Sequence, residues 1–512
     1  MARSVWLHLS WRRNGDGYDV PLAVNRLLAH GHPVWWCLRP SGTAEAGDYL
    51  VEGPSSLVDR LSALGLSAAA WTGLLPRGAR PLETPRICLL AGTASAYPYF
   101  AYYTLCLTRL GLSYHPVGGA GIAQGALLDA NLLILPGGFA IWGLDMAEAA
   151  PGADASVRTF LEGGGACLGS CGGAYYLSAG RPAWTGTVQA RPRYTHEYLQ
   201  SGTGIASLRL ADHLLALGCP ATVEVPYYHG PIYEDVGPEI EVAATFDSLC
   251  LPGRLGIDNP MEARRFAREM AGRPAILRAE GARGRAVLFS PHPEMGDLVR
   301  KYVALDGYVR RYASIRGRRT LEETLKAYRP SDSPAFRLVL NATHALTMHS
   351  RTRRSAGYPR YRRGSRTPSG PWAPSKPARA EAPRGDPLSS LRSFQKAAGE
   401  LLASLRVTGS TGYGSMVRAV AEDIAGRLAP AADKLDETLR LLRVSPGAEG
   451  RRILVAWNHL ATQGTETLGQ GGLFKRPAAE RLLHVDLAIC LWDAWRRLIE
   501  TERLLASVRS GR

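Results

Sequence analysis

The chain has no CxxC pair, no histidine ladder beside its cysteines and no long uninterrupted apolar run. Each absence removes a class of function. A membrane-spanning helix needs ~18 apolar residues. The best stretch, Leu132 to Ala150, is broken by Pro136, Gly137, Gly138, Gly143, Asp145 and Glu148. The first thirteen residues hold an apolar stretch too short for a secretory signal, with no small-residue cleavage pattern. These readings place the protein in the cytoplasm, with no membrane association. The eight cysteines lie scattered at positions 37, 88, 106, 167, 171, 219, 250 and 490, which excludes a zinc site of ordinary spacing. No metal and no cofactor is expected. A dinucleotide fingerprint also fails: Gly119-Ala120-Gly121 follows a strand, but Gln124 stands where the third glycine belongs.

What is present is basic charge, unevenly spread. Of the net +16, more than half sits between Arg351 and Arg392, which holds eleven basic residues and two acidic ones. That stretch is rich in Pro, Ser and Gly, so residues 350–388 read as a disordered basic linker. Its 351–366 run, with Tyr358 and Tyr361 interleaved, has the composition to bind an acidic partner or nucleic acid. A solubilising tether accounts for the same residues.

Three short segments carry chemistry. Gly169-Ser170-Cys171-Gly172-Gly173 follows an apolar run and opens onto helix-compatible residues. A nucleophile on a strained strand-to-helix turn needs small neighbours on both sides. A helix N-terminus beside the sulfur favours the thiolate. Ala286-Val287-Leu288-Phe289-Ser290 reads as a buried strand running into Pro291-His292-Pro293-Glu294, which supplies a base and an acceptor to orient it. Asn131 to Leu135 is a third buried strand, followed by Pro136-Gly137-Gly138, whose backbone N–H groups suit an oxyanion. Taken singly, the cysteine segment reads equally as a tight turn around a buried cysteine, the His-Pro-Glu segment more often as a polar turn, and the Pro-Gly-Gly segment as an ordinary loop. Cys167, the rival nucleophile, lies inside the strand and is read as core.

In this order the three segments resemble the class I glutamine amidotransferase-like family with its Cys-His-Glu triad. More narrowly, residues 86–302 are similar to the amidotransferase-like domain at the N-terminus of biotin-protein ligases. The shared features are Cys171-Gly172-Gly173-Ala174-Tyr175-Tyr176, Tyr227-Tyr228-His229-Gly230-Pro231, and Gly284-Arg285-Ala286-Val287 leading to Pro291-His292-Pro293-Glu294. The resemblance implies Cys171, His292 and Glu294 as catalytic residues. It implies Gly137, Gly138 and Gly172 at the oxyanion, with Tyr175, Tyr228 and His229 around the substrate. Three departures stand out. Tyr175 occupies a position usually held by glutamine, no synthetase domain is visible to accept ammonia, and Ser290-Pro291 precedes His292 in place of an apolar-aromatic approach. No ligase catalytic domain is present. Gly281-Ala282-Arg283-Gly284-Arg285 looks like a biotin ligase glycine-arginine loop but sits in a predicted hairpin.

Strand and helix patterns alternate from Arg86 onward, so the expected fold is α/β: a mostly parallel sheet flanked by helices, flavodoxin-like. Residues 1–82 read as a small α/β extension of unassigned role, 86–348 as the amidotransferase-like domain, and 389–512 as a bundle of four helices with 3.6-residue apolar periodicity. The bundle offers a surface for homo-oligomer formation. The expected activity is a cysteine-dependent amidase or glutamine amidotransferase-like hydrolysis, through a thioester, of a small-molecule amide or similar carbonyl substrate. The alternative is a non-catalytic ligand-binding or regulatory module that keeps the fold. A cysteine peptidase of the same superfold often carries histidine directly after the cysteine, where this chain has Gly172.

Overall fold

The computed structural model describes residues 4–95, 99–138, 142–193, 203–249, 263–281, 284–298, 334–348, 386–407, 413–444, 447–469 and 478–505. Nearly all of the expected basic linker lies outside the described residues, as does Cys250.

Residues 4–82 form a five-stranded sheet with two helices. Its elements are β1 (Ser4–Leu9), α1 (Asp19–Ala29), β2 (Val34–Cys37), β3 (Tyr49–Pro54), α2 (Leu57–Ala63), β4 (Ala69–Trp71) and β5 (Ala79–Pro81). The strand order is β4-β1-β3-β2-β5 and every neighbouring pair is antiparallel.

A nine-stranded sheet follows. Its parallel half comprises β6 (Ile87–Leu90), β7 (Tyr114–Val117), β8 (Leu132–Leu135) and β9 (Ala166–Ser170). Among these strands run α3 (Tyr99–Arg109), α4 (Gly119–Ala123), α5 (Leu144–Ala147) and α6 (Ala153–Glu162), and α7 (Gly172–Leu177) leaves β9. The strands β6, β8 and β9 are buried at every residue, as a sheet covered on both faces requires. Their period-2 alternation splits the core. Leu89, Ile134 and Leu168 join one cluster, while Leu90, Leu133 and Cys167 join the other.

A short β10 (Ala190–Pro192) pairs separately with β13 (Tyr233–Val236). The main sheet continues through β11 (Thr203–Leu210), β12 (Thr222–Tyr228), β14 (Glu241–Leu249), β15 (Pro274–Gly281) and β16 (Gly284–Phe289). The full order is β12-β11-β14-β15-β16-β9-β8-β6-β7. The expectation of a mostly parallel sheet needs correction, because the sheet is mixed. Pairs from β16 to β7 are parallel, and pairs from β12 to β16 are antiparallel. Direct returns such as Gly281↔Gly284 leave no room for the crossover helix that a parallel neighbour needs. The strand β14 pairs with β15, which separates it from β16.

The remaining helices are α8 (Ala263–Glu269), α9 (Pro334–Thr347), α10 (Pro387–Val407), α11 (Tyr413–Val444), α12 (Gly447–Gly469) and α13 (Ala478–Leu505). The last four pack on one another around Phe394, Trp457, Trp492 and Trp495, whose rings meet edge to face. The α13 helix also packs against α3, α1 and α2. Arg26 of α1 pairs with Glu502 of α13, and it also donates to Ser113 Oγ at 2.6 Å and to Gly111 O at 3.3 Å. Among the described residues, no helix is long and apolar enough to cross a membrane.

Gly119, the first glycine of the incomplete dinucleotide pattern, has a different task here. The Gly119 and Ala94 N–H groups donate to the Glu148 carboxylate, at 2.9 and 2.6 Å.

Candidate functional site

Five parallel strands, β16, β9, β8, β6 and β7, put their carboxyl ends on one edge, where ligands of such sheets bind. Leu135 stands beside Gly169, and Ser170 stands beside Phe289. The next residues along these strands are therefore neighbours: Pro136-Gly137-Gly138, Cys171, and Ser290-Pro291-His292.

Cys171 is the turn between β9 and α7, with φ +50° and ψ −106°. A non-glycine residue there is strained, and it holds that shape only because its surroundings enforce it. Its N–H donates to Phe289 O at 2.9 Å and its carbonyl accepts from Tyr175 N at 2.9 Å. Gly173 lets α7 press onto β8, since a Cβ there would stand 2.0 Å from Leu135 O. The Cys171 thiol donates to Tyr228 O at 3.2 Å, and the residue is 9% exposed.

His292 and Glu294 are fully buried, and Nδ1 and Oε1 are 2.7 Å apart. The residue after β16 is Ser290, whose hydroxyl donates to Pro231 O at 2.6 Å and fixes the 227–231 turn against the site. The imidazole is stacked on Tyr99, with centroids 5.2 Å apart, and meets the Tyr228 ring edge-on at 6.0 Å. Burial opposes the charged imidazolium, but the Glu294 carboxylate and Cys171 outweigh it and raise the His292 pKa to about 10. Nε2 is buried and has no hydrogen-bond partner among the described residues.

The glycine loop joins the same place. The imidazole lies against Gly137, where a Cβ would come within 2.7 Å of Cε1. A Cβ on Gly172 would stand 2.3 Å from Gly138 O and 2.9 Å from Gly138 N. This contact gives a testable outcome. Gly172→Ala must push the Gly138 loop aside, and if these N–H groups form an oxyanion hole, losing one donor costs about 10²–10³ in rate. Acylation by p-nitrophenyl acetate should fall by about that factor. Alkylation by iodoacetamide develops no oxyanion and should fall far less. Equal loss in both assays would contradict this use of the loop.

The structure brings Cys171, His292, Glu294, Gly137, Gly138, Gly172 and Tyr228 together. Tyr175 and His229 meet one another, through a bond from the Tyr175 hydroxyl to His229 O at 3.3 Å. His229 itself has φ +50°. Cys167 is fully buried in β9, where burial pushes its thiol well above the usual range. Sequence reasoning missed Tyr99, Tyr103 and Ser170. Tyr103 and Ser170 share a hydrogen bond of 2.6 Å, and Ser170 donates to Glu294 Oε2 at 3.0 Å. The one available signal was that Ser170 directly precedes the cysteine. No group of three or more His, Cys, Asp or Glu side chains among the described residues is arranged to hold a metal ion.

No family model matches the chain, and no curated protein matches it. Solved structures do. A glutamine amidotransferase from Thermotoga maritima is 12% identical, with 51% of this chain and 98% of that chain covered and a TM-score of 0.32. Another glutamine amidotransferase is 20% identical, covering 41% of this chain and 90% of that chain, with a TM-score of 0.29. A β-galactosidase from Bacillus circulans is 12% identical over 49% of this chain and 32% of that chain, with a TM-score of 0.27. At such values, likeness carries no activity across to this chain.

Proposed function

We propose that residues 86–348 form a class I amidotransferase-like domain, nearest the biotin-protein ligase N-terminal type, that works as a cysteine-dependent amide hydrolase. The Cys171 thiolate attacks a carbonyl carbon, and its electrons move onto the oxygen. The Gly138 and Gly172 N–H groups receive that oxyanion. His292 gives its Nε2 proton to the leaving amine, which departs as the thioester forms. Glu294 holds Nδ1–H throughout. Water, deprotonated by His292, then hydrolyses the thioester and frees the thiol. The observation that carries this reading is the sealed His292–Glu294 pair beside a cysteine held at positive φ.

A second reading has its own support. The Cys171 thiol is bonded to Tyr228 O, as a module retaining the fold for ligand binding would tolerate. Labelling with iodoacetamide across pH, mapped by mass spectrometry, separates the two. The hydrolase reading expects Cys171 to label fastest of all the cysteines and to release ammonia from glutamine or simple amides. Labelling no faster than that of half-buried Cys219, with no ammonia, supports the binding module instead.

A further inference from the structure

Glu294 has two oxygens, and the mechanism uses one. Oε1 faces His292 Nδ1 at 2.7 Å. Oε2 accepts the Ser170 hydroxyl at 3.0 Å, and Ser170 Oγ is 2.6 Å from the Tyr103 hydroxyl. Ser170 has one proton, and Glu294 takes it, so the Tyr103 O–H must be the donor in the 2.6 Å bond. Tyr103, Ser170, Glu294 and His292 are all fully buried. The chain of bonds has one polarity, from phenol to serine to carboxylate.

We propose that Ser170 and Tyr103 are positioning residues of this site. Together they hold Glu294 in the one rotamer in which Oε1 meets Nδ1, and so aim Nε2 of His292 toward Cys171. A carboxylate held at one oxygen alone can swing about its last torsion, whereas one held at both oxygens cannot. Each member sits on a rigid element: Ser170 ends β9 directly before the nucleophile, and Tyr103 is in the middle of α3. The same helix places Tyr99 flat on the imidazole, so α3 constrains both halves of the pair. The titratable groups facing it are Tyr99, Tyr103 and Cys106 from α3, Cys171 at the elbow and Tyr228 at the end of β12.

This inference rests on the hydrolase reading, and the test distinguishes the two. The probe is iodoacetate, whose carbon is attacked by the thiolate sulfur as iodide leaves. Its negative charge is drawn by the imidazolium, so its rate falls when His292 loses its proton. In the native chain that fall sets the alkaline limb of the rate profile for Cys171. In Ser170→Ala the freed carboxylate turns away from Nδ1, and the limb should move about one pH unit lower, the equivalent of weakening the charged Glu294–His292 hydrogen bond. Tyr103→Phe should move it in the same direction by less. Tyr103→Phe removes a hydroxyl and keeps the ring, so it reads the network even if Ser170→Ala folds poorly. Leu107→Ala, on the same helix but outside the chain of bonds, should weaken the fold and leave the limb in place. If the native chain shows a His292-dependent profile and both network variants reproduce it, the positioning role is wrong and the hydrolase reading stands. If Cys171 of the native chain shows no such profile, both fall.

Discussion

Replacing His292 with alanine should lower acylation of Cys171 by p-nitrophenyl acetate by about 10²–10⁴-fold at pH 7, the usual share of a general acid–base residue. The same change should alter how the fold responds to pH. Burial disfavours the imidazolium, but Glu294 and Cys171 raise the His292 pKa from its ordinary 6.5 to about 10. A group that binds its proton more tightly in the folded state stabilises the fold fully below pH 6.5, and the contribution disappears as pH climbs through about 10. The urea midpoint of the native chain should therefore fall between those pH values, and the fall should be shallower in His292→Ala. Parallel midpoint curves for the two proteins would show that no tightly held proton sits on His292. Glu294→Gln should reproduce both effects in part, because it keeps an acceptor for Nδ1–H but loses the charge.

Glu502→Ala should cost about 3–5 kcal/mol of folding stability, the penalty for leaving a buried charge without its partner. Glu502 takes Arg26 on one oxygen and His30 on the other, at 2.9 Å. The Arg26 side chain is 5% exposed and Glu502 17%, so solvent cannot replace the lost carboxylate. Burial works against the Glu502 carboxylate, but His30 and Arg26 prevail and hold it below its ordinary 4.5. A depressed carboxyl stabilises the fold above its unfolded value and loses that contribution as pH falls through its folded one. The effect of Glu502→Ala should accordingly shrink in acid. The measurement is urea unfolding at pH 7 and pH 4. A change at pH 7 within about 0.5 kcal/mol, the range of an ordinary surface substitution, would mean that the α1–α13 junction does not bear on stability. Because Arg26 also holds Ser113 and Gly111, just beyond α3, the variant should further lower the iodoacetamide reactivity of Cys171.

Much of the layout was legible because it is local. The run Leu132-Leu133-Ile134-Leu135 can only be a strand covered on both faces, and it is one. The Gly-Ser-Cys-Gly-Gly spacing announces a turn with no room for side chains, and Gly173 meets Leu135 O there. The antiparallel half of the sheet was harder to read. Strand direction depends on which neighbour a strand finds, and nothing within β14 names β15 or β16. Tyr103 was invisible for a similar reason. In sequence it is one more aromatic on an amphipathic helix, and its hydroxyl gains meaning only when β9 passes beneath it. Tyr175 and His229 were named as substrate contacts from their motifs, and in the fold a hydrogen bond joins them to each other.

The amino-acid order by itself determined which residues form the elbow, the glycine loop and the His-Pro-Glu turn. Those features follow from backbone sterics and short-range periodicity, which act over a few residues. Only the tertiary structure decided that the Glu294 carboxylate is held at both oxygens, that Tyr99 lies on His292, and that α13 is tied through Arg26 to the end of α3. Such contacts join positions tens to hundreds of residues apart, and they exist because close packing of a buried core brings distant polar groups within hydrogen-bonding reach of one another.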